Sequence, residues 1–181
     1  VVSQNFTEDS FNTFVNSENG ILLLHKFLQY NDYMIHGLER DGFNLIGYPV
    51  ELNDEWSVYC LNSALTSFAG VKDDNYPLLQ KDDKRLCIDT RRLYEWVSNN
   101  KKKKILLMHH PFDYYTNWAS AELKKIVKQN FDLVLTGHSH EQDLLCNNNG
   151  KDSYIWCMAP QLFTDKKDTL GYSIIELDTD G

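Results

Sequence analysis

The chain has 181 residues, of which 42% are hydrophobic and 24% are charged, and its formal net charge is −8. This length fits one domain with a substantial core. The negative net charge argues against a broad basic surface that binds the phosphates of nucleic acid. Phosphorylated substrates are not excluded, because bound divalent cations would reverse the local charge.

The first hundred residues contain signals for several short elements. Helices and strands are predicted, in chain order, at Thr7–Asn16, Ile21–Tyr30, Gly42–Val50, Trp56–Leu61 and from Asp89 or Thr90 through Ser98. Asn19-Gly20 is expected to break the first helix, and residues 68–83 read as a surface loop rich in Gly, Asp and Pro.

A strand–helix–strand unit follows. Lys104–Met108 and Phe131–Leu135 are short apolar runs typical of buried strands. Between them, Asn117–Asn130 has apolar residues at helical spacing. Such a unit makes the two strands parallel neighbours, so the residues that follow them emerge at the same edge of the sheet. Ligands bind at this carboxyl edge in open α/β sheets.

The last part of the chain predicts three more strands. They are expected at Asp143–Cys146, at Ser153–Ala159 after a hairpin turn formed by Asn147–Gly150, and at the alternating segment Gly171–Leu177. No internal repeat or linker is evident, so residues 1–181 are treated as one unit.

Four of the six histidines lie directly after the two buried strands: His109, His110, His138 and His140. Neutral imidazole is a common metal ligand, so this concentration predicts a metal site. Gly137 is expected to let the chain turn sharply. An extended His138-Ser-His140 segment would place both imidazoles on the same side.

Other residues could reach the same edge. Asn62 and Ser63 end a central strand, and the blander interpretation is that they make ordinary strand-end hydrogen bonds. Tyr114, Tyr115 and Trp118 follow the His109-His110-Pro111 loop, where they either form a substrate lid or cover the start of the next helix.

The two histidine motifs resemble those of the calcineurin-like metallophosphoesterases. Leu106-Leu-Met-His109-His110-Pro111 is similar to their penultimate motif, and Gly137-His-Ser-His140 is similar to their closing Gly-His-x-His motif. The resemblance covers roughly Trp56 to Leu177, including the order of elements. It implies an α/β fold in which two sheets form a sandwich flanked by helices.

The resemblance also implies roles for individual residues. His109 and His138 would bind one divalent ion and His140 a second, the ions being Mn, Fe, Zn or Mg. His110 would lie in the second shell or contact the substrate, and we assign Asn62 to the same group. The alternation of His109 and His110 means that only one of them can point at a given metal. The implied activity is hydrolysis of a phosphorylated small molecule or nucleotide, as a phosphatase or a phosphodiesterase.

The family's earlier motifs are missing from this sequence. It contains no Asp-x-His, Gly-Asp-x-x-Asp or Gly-Asn-His-Asp/Glu, so the bridging carboxylate, the asparagine ligand and the general-acid histidine are absent. Three imidazoles shared by two ions leave each ion short of the usual four or more ligands. The chain is therefore expected to be the carboxyl-terminal part of a single larger domain, inactive alone and completed by an amino-terminal segment or a second chain.

Two alternatives to an enzyme of this kind remain open. The first is a degenerate, non-catalytic phosphoesterase-like binding or regulatory module, and the weaker second is a nuclease-type effector domain of a multidomain protein. Nucleic acid is a possible partner that the charge does not indicate.

The location of the protein is predicted from its cysteines and its hydropathy. The four cysteines form no Cys-x-x-Cys pair, and Cys60 and Cys157 fall inside predicted strands. Reduced core thiols are therefore expected, and with them a cytoplasmic location. No apolar run is long enough to span a bilayer, so no membrane contact is predicted.

Overall fold

The computed structural model describes residues 7–22, 46–67, 84–138, 143–148, 153–160 and 171–177. Its centre is a six-stranded sheet in the order β1-β2-β3-β4-β6-β5. The strands are β1 (Gly47–Glu51), β2 (Trp56–Leu61), β3 (Lys103–Leu107), β4 (Leu133–Thr136), β5 (Asp143–Asn148) and β6 (Ser153–Met158). The helices are α1 (Glu8–Val15), α2 (Arg91–Asn99) and α3 (Asn117–Asn130), with a 3₁₀ turn at Phe112–Tyr114.

The middle of the sheet is parallel and its two borders are antiparallel. β2, β3, β4 and β6 pair in parallel, whereas β1 and β5 pair antiparallel with β2 and β6. Pro49 lies in the edge strand β1. Proline is tolerated there because an edge strand has no neighbour on its outer side that would need a backbone N–H. The predicted α/β class and the parallel β3-α3-β4 unit are confirmed.

Helix α3 begins and ends where the sequence predicts, because its apolar residues recur at helical spacing. Ala119, Leu123, Ile126 and Val127 are fully buried on it. They belong to the same core cluster as Leu106 and Val134 on the sheet. Burial of this face holds the helix against one side of β3 and β4 and fixes the loops at either end.

The start of α2 distinguishes the two predicted caps. The Asp89 carboxylate accepts hydrogen bonds from the backbone N–H and the guanidinium of Arg91, so it satisfies the free amide there. The Thr90 hydroxyl instead donates to Glu8 Oε1 over 2.8 Å. Thr90 occupies the N-cap position and ties α2 to α1, while the side chain that bonds the first helical amide is that of Asp89.

The predicted helix over Thr7–Asn16 is present as α1, with Thr7 and Asn16 as its caps, but the expectation that Asn19-Gly20 breaks it was wrong. α1 ends at Val15, and residues 18–22 are already helical again. Ser17 makes the break: its hydroxyl donates to Phe14 O and accepts from Gly20 N–H. Glycine is required at position 20 because the backbone there passes close to α1: a Cβ would lie 1.9 Å from the Phe14 carbonyl oxygen.

The predicted strand at Gly171–Leu177 was also wrong. Residues 171–177 are described, and they pair with none of the described strands. Leu177 instead packs beside the second face of the sheet, against the cluster of Trp56, Val58, Ile105 and Leu133. The alternating pattern misled because it reports which side chains face an apolar surface, whereas a strand also needs a neighbour for its backbone.

The second face of the sheet is only partly covered. Leu107, Leu144 and Ile155 lie on it and are 43%, 63% and 44% exposed. The described strands form one sheet, which corresponds to one layer of the two-sheet sandwich that the resemblance implies.

Several other predictions concern segment boundaries. β5 extends through Asn148, two residues into the predicted turn. The remaining predictions for residues 23–45, 68–83 and 149–150, and those for His140, lie outside the described residues. No described helix has the length and apolarity needed to cross a membrane.

The four cysteines are free thiols that differ in accessibility. Burial raises the pKa of the Cys87 thiol to about 11, while Cys146 is exposed. Only about one Cys87 in a thousand would be thiolate at pH 8, and the thiolate is the reactive form. We expect iodoacetamide to label Cys146 well before Cys87, as read by mass spectrometry. Labelling in urea is the control, and equal rates in the folded protein would contradict the burial of Cys87.

Candidate metal centre

The two histidine motifs meet because backbone pairing between β3 and β4 continues beyond the strand ends. Met108 N–H donates to Leu135 O, and Gly137 N–H then donates to His109 O, both over 3.0 Å. This pairing places His109 beside the Gly137-His138 dipeptide at the carboxyl edge. The predicted convergence of the two loops is therefore present for His109, His110 and His138.

The sharp turn lies at His138 and not at Gly137, which corrects the sequence-based expectation. His138 has a φ of 67°, in the left-handed region that few residues other than glycine adopt. Gly137 has no such φ, but a Cβ there would lie 3.4 Å from His109 Nδ1. A Cβ at that distance would make ordinary van der Waals contact, so the His109 ring does not require glycine there. The left-handed His138 turns the chain, so this residue is not in the predicted extended conformation.

The three imidazole rings form a compact cluster. His138 Nδ1 lies 3.1 Å from His109 Nε2, and ligand nitrogens of His109, His110 and His138 all lie within 4.8 Å of one another. His110 is buried, His138 is half-buried and His109 is exposed. The cluster is thus open to solvent on the His109 side and closed beneath His110.

This donor set fits a divalent metal ion. Adjacent ligands on an ion with metal–nitrogen bonds of about 2.0–2.1 Å are about 3 Å apart, which matches the 3.1 Å between His109 and His138. Imidazole suits Zn and Fe better than Mg, which prefers oxygen. Within the described ranges, no carboxylate belongs to the cluster, so any further ligands must come from elsewhere.

Ser63 connects the neighbouring strand β2 to this cluster. Its buried Oγ accepts from the backbone N–H groups of His109 and His110, over 3.0 and 3.1 Å, and lies 3.2 Å from His110 Nδ1. The strand-end hydrogen bonding expected of Ser63 is present, and its partners are the histidine motif itself. The structure brings Ser63 to the motif because β2 and β3 pair in parallel and end at the same edge.

Asn62 lies next to Ser63, directly after β2. Its backbone N–H donates to Ile46 O over 2.8 Å, and it is half-buried at the end of β2. Its assignment to the second shell or the substrate remains a prediction. His140 stays a predicted ligand that lies outside the described residues.

The aromatic residues after Pro111 lie partly in the core and partly beside the histidine cluster. Tyr115 is buried in the core with Phe112, and Trp118 packs against that core. The Tyr114 ring is half-buried, and its centroid lies 4.4 Å from that of His138. Tyr114 is therefore the aromatic residue that borders the cluster.

Fold and cluster together define an α/β protein whose carboxyl-edge histidines are suited to holding a metal ion. Residues 16–142 match the sequence model of the calcineurin-like phosphoesterase family. The chain belongs to this family, and the match begins well before Trp56, where the motif resemblance begins. Membership supports a metal-dependent phosphoesterase type of function. No individual curated protein was found to be significantly similar to the chain.

Proposed function

We propose that this chain carries part of a two-ion centre that hydrolyses phosphate esters. The observation that supports the proposal is the cluster of three histidine rings at the carboxyl edge of parallel strands, in a chain of the phosphoesterase family. The overall reaction breaks the bond from phosphorus to the ester oxygen, forms a bond from phosphorus to a water oxygen, and leaves the alcohol protonated.

The proposed ligands are assigned to two ions. His109 and His138 hold one ion through the nitrogens that lie 3.1 Å apart, and His140 belongs to the second. Divalent ions bound there would polarise a phosphoryl oxygen and lower the pKa of a water molecule. His109 and His138 keep their positions through the shared backbone pairing of their loops.

The ligands that the histidines do not supply are proposed to come from an additional segment or a second chain. A pair of ions needs more than the three imidazoles proposed as ligands, and oxygen ligands are the ones missing from the described cluster. The partly covered face that carries Leu107, Leu144 and Ile155 would receive the second layer of the domain. A parallel sheet is normally covered on both faces, which supports this arrangement.

Metal binding and turnover test the proposal separately. Calorimetry on this chain is expected to show binding of Zn²⁺ and much weaker binding of Mg²⁺. The proposed complete protein, in which an additional segment or a second chain supplies the missing ligands, is expected to hydrolyse p-nitrophenyl phosphate or its bis ester only with metal. The ratio of the two rates decides between a phosphatase and a phosphodiesterase. Metal-independent turnover would contradict the proposal.

A non-catalytic binding module is the second candidate. The observation that favours it is the lack of a carboxylate in the described cluster, together with the missing motifs in the sequence. Zn²⁺ binding without turnover of either ester by the complete protein would support this candidate. Absence of metal binding would contradict both.

A further inference from the structure

Helix α1 packs on the rest of the protein through a small apolar cluster of its own. Phe11 and Val15 on the helix are buried against Cys87. The partly buried Leu65 and Trp118 lie beside them, and these two residues also touch the larger core cluster. The buried residues of the two clusters are different. The packing of α1 is therefore largely separate from the core that joins α3 to the sheet.

Two polar atoms of the described residues are buried in this region without a hydrogen-bond partner. They are Asn12 Oδ1 on α1, next to Phe11, and Trp118 Nε1 in the first turn of α3. A buried donor or acceptor that makes no hydrogen bond destabilises the folded arrangement, because water satisfies the same group when it is exposed. Entry of water on release of α1 would remove this cost. It therefore offsets part of the gain from burying Phe11 and Val15.

The helix itself is short. α1 has 8 residues, and isolated helices of this length are not stable in water. Thr90 supports it from the start of α2, since the Thr90 hydroxyl donates to Glu8 Oε1 over 2.8 Å. Docking and helix formation are thus coupled, and α1 is expected to lose its helical structure when it leaves the surface that Cys87 and Trp118 form.

The surface under α1 is connected to the histidine cluster. Cys87 directly follows Leu86 in the chain. The Leu86 N–H donates to Tyr114 O over 3.0 Å, and Leu86 O accepts from the Thr116 N–H over 2.9 Å. The ring of Tyr114 borders the cluster beside His138. α1 therefore rests on the segment that holds the backbone of Tyr114 in place.

We propose that α1, residues 8–15, is a strap that detaches from Cys87 and Trp118 while the sheet and the larger core cluster stay folded. Small peripheral units with few buried apolar contacts open at a lower free energy than the whole domain. Detachment exposes the Cys87 thiol and removes a support from the segment that holds Tyr114. The inference concerns packing alone, so it stands or falls independently of the proposed function.

The rate at which iodoacetamide labels Cys87 measures the opening. Mass spectrometry follows the label at urea concentrations below the unfolding transition, and the unfolded chain gives the reference rate. Labelling is expected to be at least about tenfold faster than global unfolding allows, as calculated from the free energy of unfolding in urea. It should also depend little on urea, since detachment exposes little surface. A rate and a urea dependence equal to those of global unfolding would overturn the proposal.

Two variants separate the strap from the core. Phe11→Ala removes the main apolar contact of α1, so it should speed labelling of Cys87 at least about tenfold while the sheet stays folded. Ile126→Val is the matched control, because it removes one methylene group from the fully buried core face of α3. It should weaken the whole domain but leave the labelling rate of Cys87 without urea unchanged. Equal acceleration by both variants, or loss of the folded sheet in Phe11→Ala, would overturn the proposal.

A substitution at Asn12 tests why the strap is weakly held. Asn12→Leu replaces a buried, unpaired carbonyl by an apolar group of similar size, so labelling of Cys87 should become several-fold slower. Thr13→Leu is the control, since Thr13 is exposed on the same helix and the variant gains helix propensity without burial. Equal labelling rates in the two variants would contradict the role of Asn12 in loosening the strap.

Discussion

Replacing His138 by asparagine in the proposed complete protein is expected to lower metal-dependent turnover by at least about 100-fold, since even outer-shell partners of a metal contribute 10–100-fold. The same replacement in this chain should weaken Zn²⁺ binding in calorimetry. Asparagine removes the imidazole but tolerates the left-handed backbone seen at this position. The loss would therefore report on the ligand and not on the fold.

Two further variants of His138 separate backbone strain from metal binding. His138→Gly should also lose the metal, yet it relieves the φ of 67°. His138→Ala keeps the unfavourable backbone, so it should be about 1 kcal/mol less stable than the glycine variant in urea unfolding. Unchanged turnover in His138→Asn would contradict the assignment of this residue as a ligand.

The largest effect on stability is expected at Leu106. It is 0% exposed on β3 and belongs to the core cluster that includes Leu123 and Val134. Leu106→Ala should therefore lower the free energy of unfolding by about 2–5 kcal/mol, since it opens a cavity that the packed core cannot fill. Urea denaturation of the chain measures this loss.

Leu107 is the matched control, since it follows Leu106 on the same strand and points to the opposite face. It is 43% exposed, so Leu107→Ala should cost about 1 kcal/mol or less in this chain. If a second layer covers that face in the proposed complete protein, the cost of Leu107→Ala should rise there toward that of Leu106→Ala. Equal costs in this chain would contradict the two-faced description of the sheet.

The local sequence pattern correctly predicted the elements whose apolar residues are also the buried ones. α3 and β2 have the predicted bounds because apolar spacing and burial agree along each of them. The break at Ser17 was missed because it depends on the hydrogen bonds of its hydroxyl with Phe14 and Gly20, which residue type alone does not show. The segment at Gly171–Leu177 was misread because alternation carries no information about a pairing partner.

The sequence predicted which residues form the site but not their detailed contacts. The sequence predicted that His109 and His138 lie at one edge, because parallel strands joined by a helix end on the same side of the sheet. It did not locate the turn at His138, nor the contact of Ser63 with both histidine amides. Both depend on how close neighbouring loops come, which is a matter of ångströms and not of residue spacing.

The sequence by itself determined the α/β class, the parallel pair of strands and the set of histidines at their ends, because periodicity and chain connectivity are local properties. Only the tertiary structure decided that His109 and His138 approach to 3.1 Å and that Ser63 supports His110 from the next strand. The reason is that hydrogen bonds between separate loops are fixed by the packing of the whole sheet and its helices, which no short stretch of the chain specifies alone.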